Sequence, residues 1–88
     1  MALYLITYEL SSNEVDKDDD LVETIEYYTH QKLTKTSYLI ETKVRPHIVF
    51  HELKRYLQAK DTLLMFKVKL PWYGQGHMDT IDWVARKI

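Results

Sequence analysis

The chain reads as an α+β domain, with a four-stranded antiparallel sheet, two helices on one of its faces and a short C-terminal helix. Three observations predict it. Ala2 to Leu10 is a nearly unbroken apolar and β-favouring run with one acid, Glu9, at its far end. Two later stretches carry apolar residues at helical spacing, and each is followed by β-favouring sequence. The resulting order, strand, helix, strand, strand, helix, strand, is that of a split βαβ unit.

Taken in order, the opening run places Tyr4, Ile6 and Tyr8 on one face and Leu3, Leu5 and Thr7 on the other, which suits a strand covered on both sides. Ser11 to Asp16 reads as a polar loop. Asp18, Asp19 and Asp20 then stand where a helix would begin, against the positive end of its dipole. Leu21, Val22, Ile25 and Tyr28 predict a helix over about Asp18 to His30. The same acids lack the glycine and terminal glutamate of a calcium-binding hand, which favours the helix start over a metal loop. Thr29 to Thr34 and Thr36 to Thr42 follow as two strands of a hairpin.

Pro46 suits the first turn of a second helix, whose stripe is Val49, Phe50, Leu53, Tyr56 and Leu57 and whose end is expected near Ala59. Thr62 to Leu70 alternates as a half-buried strand, with Leu64, Phe66, Val68 and Leu70 on one side and Lys67 and Lys69 on the other. Trp72-Tyr73-Gly74-Gln75-Gly76-His77 is an aromatic and glycine loop without the spacing of a phosphate loop. Asp79 or Thr80 can cap a last helix carrying Ile81, Val84 and Ile88 beside Trp83.

At 88 residues the chain is expected to be one domain, with residues 1–70 as its core and 71–88 as the aromatic loop and terminal helix. A domain of this size buries roughly 60 to 65% of the surface of its unfolded chain. Without cysteine there is no disulfide, thiolate nucleophile or sulfur ligand for zinc, so packing alone must stabilise it, and dimerisation would help. No apolar run approaches the ~20 residues of a membrane-spanning helix, and the first residues enter a strand with no basic leader, so the expected location is cytoplasmic. The net charge of −1 lacks the positive excess of a dedicated nucleic-acid binder, although the cations concentrate after Lys32 and leave room for a local basic face.

In this topology, the ferredoxin-like fold, the first and third strands are central, and the exit of the first lies beside the starts of the third and fourth. Glu9, Ser37 and Asp61 should therefore meet at one rim of the sheet. The residues Tyr4-Leu5-Ile6-Thr7-Tyr8-Glu9-Leu10, Thr36-Ser37-Tyr38-Leu39-Ile40-Glu41 and Asp61-Thr62-Leu63 resemble the opening, third and last strands of a known group. It comprises the small ferredoxin-fold proteins that include the CRISPR-associated adaptation nuclease, virulence-associated protein D and the SinR-like proteins. The resemblance covers about Ala2 to Leu70, and the tail from Trp72 to Ile88 is closer to the SinR-like members. It implies a homodimer in defence or mobile-element biology, acting either as a metal-dependent endonuclease on RNA or DNA or as a non-catalytic adaptor or inhibitor that binds a protein partner. The family's metal-binding aspartate matches Glu9 here, and the added methylene displaces the carboxylate.

On the enzymatic reading, Glu9 is the catalytic carboxylate and Glu9 with Asp61 holds Mg2+ or Mn2+. Lys35 and Lys60 would hold phosphates near Ser37, and Trp72 and Tyr73 would stack on bases or a partner. Plainer readings stand beside these. Glu9 can be the first solvated residue after a buried strand, Asp61 a turn residue, Ser37 a strand-start hydroxyl and the aromatics packing or interface residues. His47 and His51 share a helix face but lack the order and third ligand of a zinc site. Leu3, Leu5, Leu63 and Met65 are expected on the sheet face opposite the helices, too apolar for water and so a surface for self-association.

Overall fold

The computed structural model describes the backbone of residues 1–11 and 15–88 and the side chains of residues 1–11 and 19–88. Its elements are β1 (Ala2–Glu9), α1 (Val15–Glu26), β2 (Thr29–Thr34), β3 (Ser37–Thr42), α2 (Pro46–Lys54), β4 (Thr62–Val68) and α3 (Met78–Lys87). The strands form one four-stranded sheet in the order β2-β3-β1-β4, every neighbouring pair antiparallel. The ferredoxin-like arrangement with a C-terminal helix is the one expected, with β1 and β3 in the centre.

Alternation along β1 builds the core. Tyr4, Ile6 and Tyr8 point to the side of α1 and α2, where they join Leu21 and Ile25 of α1, Tyr38 and Ile40 of β3, Val49 and Leu53 of α2, and Leu63 of β4 in one buried cluster. Ile6, Leu21, Ile25, Ile40, Val49 and Leu53 have no exposed surface. Burial of each such side chain stabilises the fold by roughly 1.5–3 kcal/mol before conformational entropy is subtracted.

The helices are shorter or shifted relative to the periodicity. α1 begins at Val15 rather than Asp18 and ends at Glu26 rather than His30. Asp19 and Asp20 thus lie inside the helix, exposed. The expected polar loop from Ser11 to Asp16 falls in part on residues outside the described ones, as does the Asp18 side chain. At its end, the Tyr28 N–H donates to the Ile25 carbonyl at 3.1 Å, a tighter turn that releases Thr29 into β2.

α2 ends at Lys54 rather than near Ala59. Tyr56 and Leu57, though in phase with its apolar stripe, sit in tightened turns with N–H bonds to the carbonyls of Leu53 and Lys54. β4 stops at Val68 rather than Leu70. The N-cap of α3 is His77, whose Nδ1 accepts the Asp79 N–H at 3.3 Å, while Asp79 occupies the first turn in place of the cap.

The other face of the sheet is shared unequally. Leu3 and Leu39 point away from α1 and α2 yet are buried, because α3 lies on this face with Val84 buried. Polar ties hold it over the β2–β3 half: the Gln31 amide donates to Thr80 Oγ1 at 3.2 Å, and Lys87 pairs with Glu41 at 3.1 Å. On the β1–β4 half Leu64 and Phe66 remain 48% and 52% exposed.

Of the side chains expected on this face, Leu3 and Leu5 are there, but Leu63 and Met65 are not. The register sets Leu63 opposite Tyr8 and Met65 opposite Ile6, on the helix side, and turns Leu64 and Phe66 outward opposite Thr7 and Leu5. With a side-chain period of two, a one-residue change of register exchanges the faces completely.

Candidate functional site at the rim of the sheet

The C-terminal end of β1 is where most of the sequence-predicted residues come together. Glu9 pairs with Thr62 and Thr7 with Ser37, and the Tyr8 N–H donates to the Thr36 carbonyl at 3.0 Å. The β2–β3 turn carrying Lys35 and the turn carrying Lys60 and Asp61 therefore flank Glu9 at one end of the sheet. Trp72 and Tyr73 are elsewhere. They follow β4, whose last residue Val68 pairs with Leu3 near the start of β1, so the chain leaves the sheet for them at the end opposite Glu9.

Each residue at the rim has a distinct local role. Glu9 is exposed and borders an open cleft with Thr7, Tyr8, Thr36, Thr62 and Leu64. Asp61 borders a different cleft on the helix side, with Phe50, Lys54, Leu57 and Leu63 among its walls. Its Oδ1 accepts from the Ser11 N–H at 2.8 Å and the Ser11 hydroxyl at 2.9 Å, and its Oδ2 accepts from the Gln58 N–H at 2.8 Å. The Asp61 N–H in turn donates to the Gln58 carbonyl at 3.0 Å. One carboxylate thus fastens the loop after β1 to the turn before β4.

Ser37 is buried, its Oγ 2.6 Å from Thr34 Oγ1, and closes the hairpin. Lys35 contributes its backbone carbonyl to the Tyr8 hydroxyl at 3.3 Å, while the Lys35 and Lys60 side chains are exposed. At the far end, Trp72 is half-buried, its ring against Gly74, where an added Cβ would come within 3.1 Å of it. Tyr73 is 93% exposed. His47 and His51 are both exposed on α2.

A divalent cation requires several oxygen ligands converging on one point. Glu9 and Asp61 border opposite sides of the sheet, and among the described residues no group of three or more histidines or acids could hold a metal ion. Glu9 and Asp61 therefore do not by themselves make a Mg2+ or Mn2+ site among the described residues. Sequence reasoning missed Ser11 as the partner of Asp61, and Thr36 and Thr62 as residues that line the cleft with Glu9. The Asp61-Thr62 turn signal was legible, but its long-range partner had none.

Fold and rim together define a small ferredoxin-like α+β protein with an exposed carboxylate at the end of a central strand. It is similar to a solved structure, that of a hypothetical protein, TT1823 from Thermus thermophilus, at 15% identity and a TM-score of 0.72, covering 86% of this chain and 92% of that one. A likeness at this identity shows the fold alone. No protein-family model matches the chain, and no curated protein matches it. Among the described residues no helix is long and apolar enough to cross a membrane.

Proposed function

We propose that this chain is a non-catalytic homodimeric interaction module that pairs with a second copy through the β1–β4 half of its outer sheet face. One observation carries the reading: Leu64 and Phe66 stand about half exposed beside Leu5 on the half of the face that α3 leaves open. The strip holds no charge except Glu9 at its rim, so it selects an uncharged partner surface, and a two-fold axis supplies an identical one. Each dimer would still present its helix layer to a protein partner. The resemblance to a group of dimeric nucleases and adaptors supports the same arrangement.

The endonuclease reading is favoured by a separate observation, the exposure of the Glu9 carboxylate beside that strip. Asp61 does not face Glu9, so this reading draws its further ligands from elsewhere, a second protomer being one source. Two experiments test the readings. Sedimentation at micromolar concentration is expected to give a dimer that Phe66→Ser converts to a folded monomer, and labelled RNA and DNA are expected to survive with Mg2+ or Mn2+. A strictly monomeric wild type sinks the dimer. A metal-dependent cut lost in Glu9→Ala replaces the adaptor reading with the nuclease one.

A further inference from the structure

The geometry points to a second site, a cleft at the C-terminal end of α1 that binds the guanidinium of an arginine carried on a basic peptide segment. It lies on the helix layer, away from the strip described above, so it stands whether or not the chain dimerises. Its centre is an aromatic corner. Tyr27 is 88% exposed and meets the half-buried Tyr28 edge-on, with ring centroids 6.0 Å apart and planes at 85°. Two perpendicular rings offer a cation one π-face and one ring wall at once.

Carboxylates from two elements close the corner. Glu23 stands one turn before Tyr27 on α1, whose carbonyl the Tyr27 N–H reaches at 3.1 Å, and Glu52 comes from α2 on the other side. With Thr24 these four side chains line a cleft of about 390 Å³. Among the described residues no lysine or arginine lines it and neither carboxylate is in an ion pair. The charge of Glu52 reaches the aromatic pair, since with burial it holds the Tyr28 hydroxyl above the ordinary tyrosine range.

Among cations, the fit is best for guanidinium. Two carboxylates do not complete a divalent-metal shell, and a lysine ammonium is strongly hydrated and cannot stack. A guanidinium is planar and weakly hydrated, lies flat on a tyrosine ring and forks its N–H groups toward carboxylates. A peptide carrier follows from the surrounding charge: Asp19 and Asp20 are exposed along the same helix and would attract further basic residues beside the arginine.

The test is an NMR titration of the whole chain with Nα-acetyl-arginine amide, the corresponding lysine and citrulline amides, and a short peptide holding one arginine between lysines. Shifts are expected at Glu23, Tyr27, Tyr28 and Glu52, with arginine about tenfold tighter than its neutral isostere citrulline and the peptide tighter still. Tyr27→Ala should weaken binding about fivefold while Tyr27→Phe holds it within about twofold. Thermal melts confirm that these variants at an exposed position stay folded. Equal binding of citrulline or lysine, an unaffected Tyr27→Ala, shifts centred elsewhere, or a peptide no tighter than the single amide would overturn the proposal.

Discussion

The ammonium of Lys87 lies 3.1 Å from Oε1 of Glu41, joining the last turn of α3 to the central strand β3. Both side chains are largely shielded, at 31% and 15% exposure. The pair therefore helps to hold α3 over Leu3 and Leu39. Glu41→Gln is expected to lower stability by about 1 kcal/mol, more than a fully exposed pair and less than a buried one. Urea unfolding of Glu41→Gln, Lys87→Met and the double variant should show coupling between the sites. Strict additivity would mean that the pair contributes nothing.

Asp61 and Glu9 sit at one rim, yet their removal should have opposite consequences. Asp61→Ala strips the acceptor from two backbone N–H groups and the Ser11 hydroxyl, and a loss of about 1–2 kcal/mol is expected. Glu9→Ala, at an exposed position, should stay within about 0.5 kcal/mol of wild type. Denaturant midpoints measured side by side check this. A large loss at Glu9 would show that its carboxylate supports the fold.

Tyr28 makes the alkaline limb of stability predictable. Burial first, then the negative charge of Glu52 and the neighbouring Tyr27, raise its pKa above the ordinary 10.0. The folded state therefore keeps the phenolic proton to higher pH than the unfolded chain. The associated stability is present below pH ~10 and is lost as pH rises through the raised value. Tyrosinate absorbance should show Tyr28 ionising late, Glu52→Gln should bring it earlier, and Tyr28→Phe should flatten the fall in stability above pH ~10. A Tyr28 that titrates with the exposed tyrosines would contradict this.

Ile6 and Leu64 contrast the two faces of the same sheet. Ile6 has no exposed surface, and Ile6→Ala should cost about 3–4 kcal/mol, a large share of the 5–15 kcal/mol typical of a domain. Leu64, 48% exposed, should cost under about 1 kcal/mol on change to alanine when the protein is dilute enough to be monomeric. In the proposed dimer the same change should raise the dissociation constant. Melts repeated across protein concentrations separate the two effects.

Periodicity set the element order and most of the core, and that order, read as a split βαβ unit, set the sheet topology. Tyr4, Ile6, Tyr8, Leu21, Ile25, Val49 and Leu53 are legible because a buried face imposes its spacing directly on the sequence. Topology then carried Glu9, Ser37 and Asp61 to one rim, since antiparallel strands joined in this order leave no other place for their ends.

Three matters were left to the tertiary structure. Element ends shifted because capping bonds and tightened turns, such as Tyr28 to Ile25 and Asp79 to His77, override the apolar phase. The outward turn of Leu64 and Phe66 depended on pairing register, to which the alternation of β4 is blind: both of its faces are apolar until Lys67, so the pattern cannot say which one meets the helices. Glu9 and Asp61 were separated by the same geometry. Which side of the sheet a carboxylate faces is decided by its partners across space, here Ser11 and Gln58 for Asp61, and sequence spacing holds no record of them.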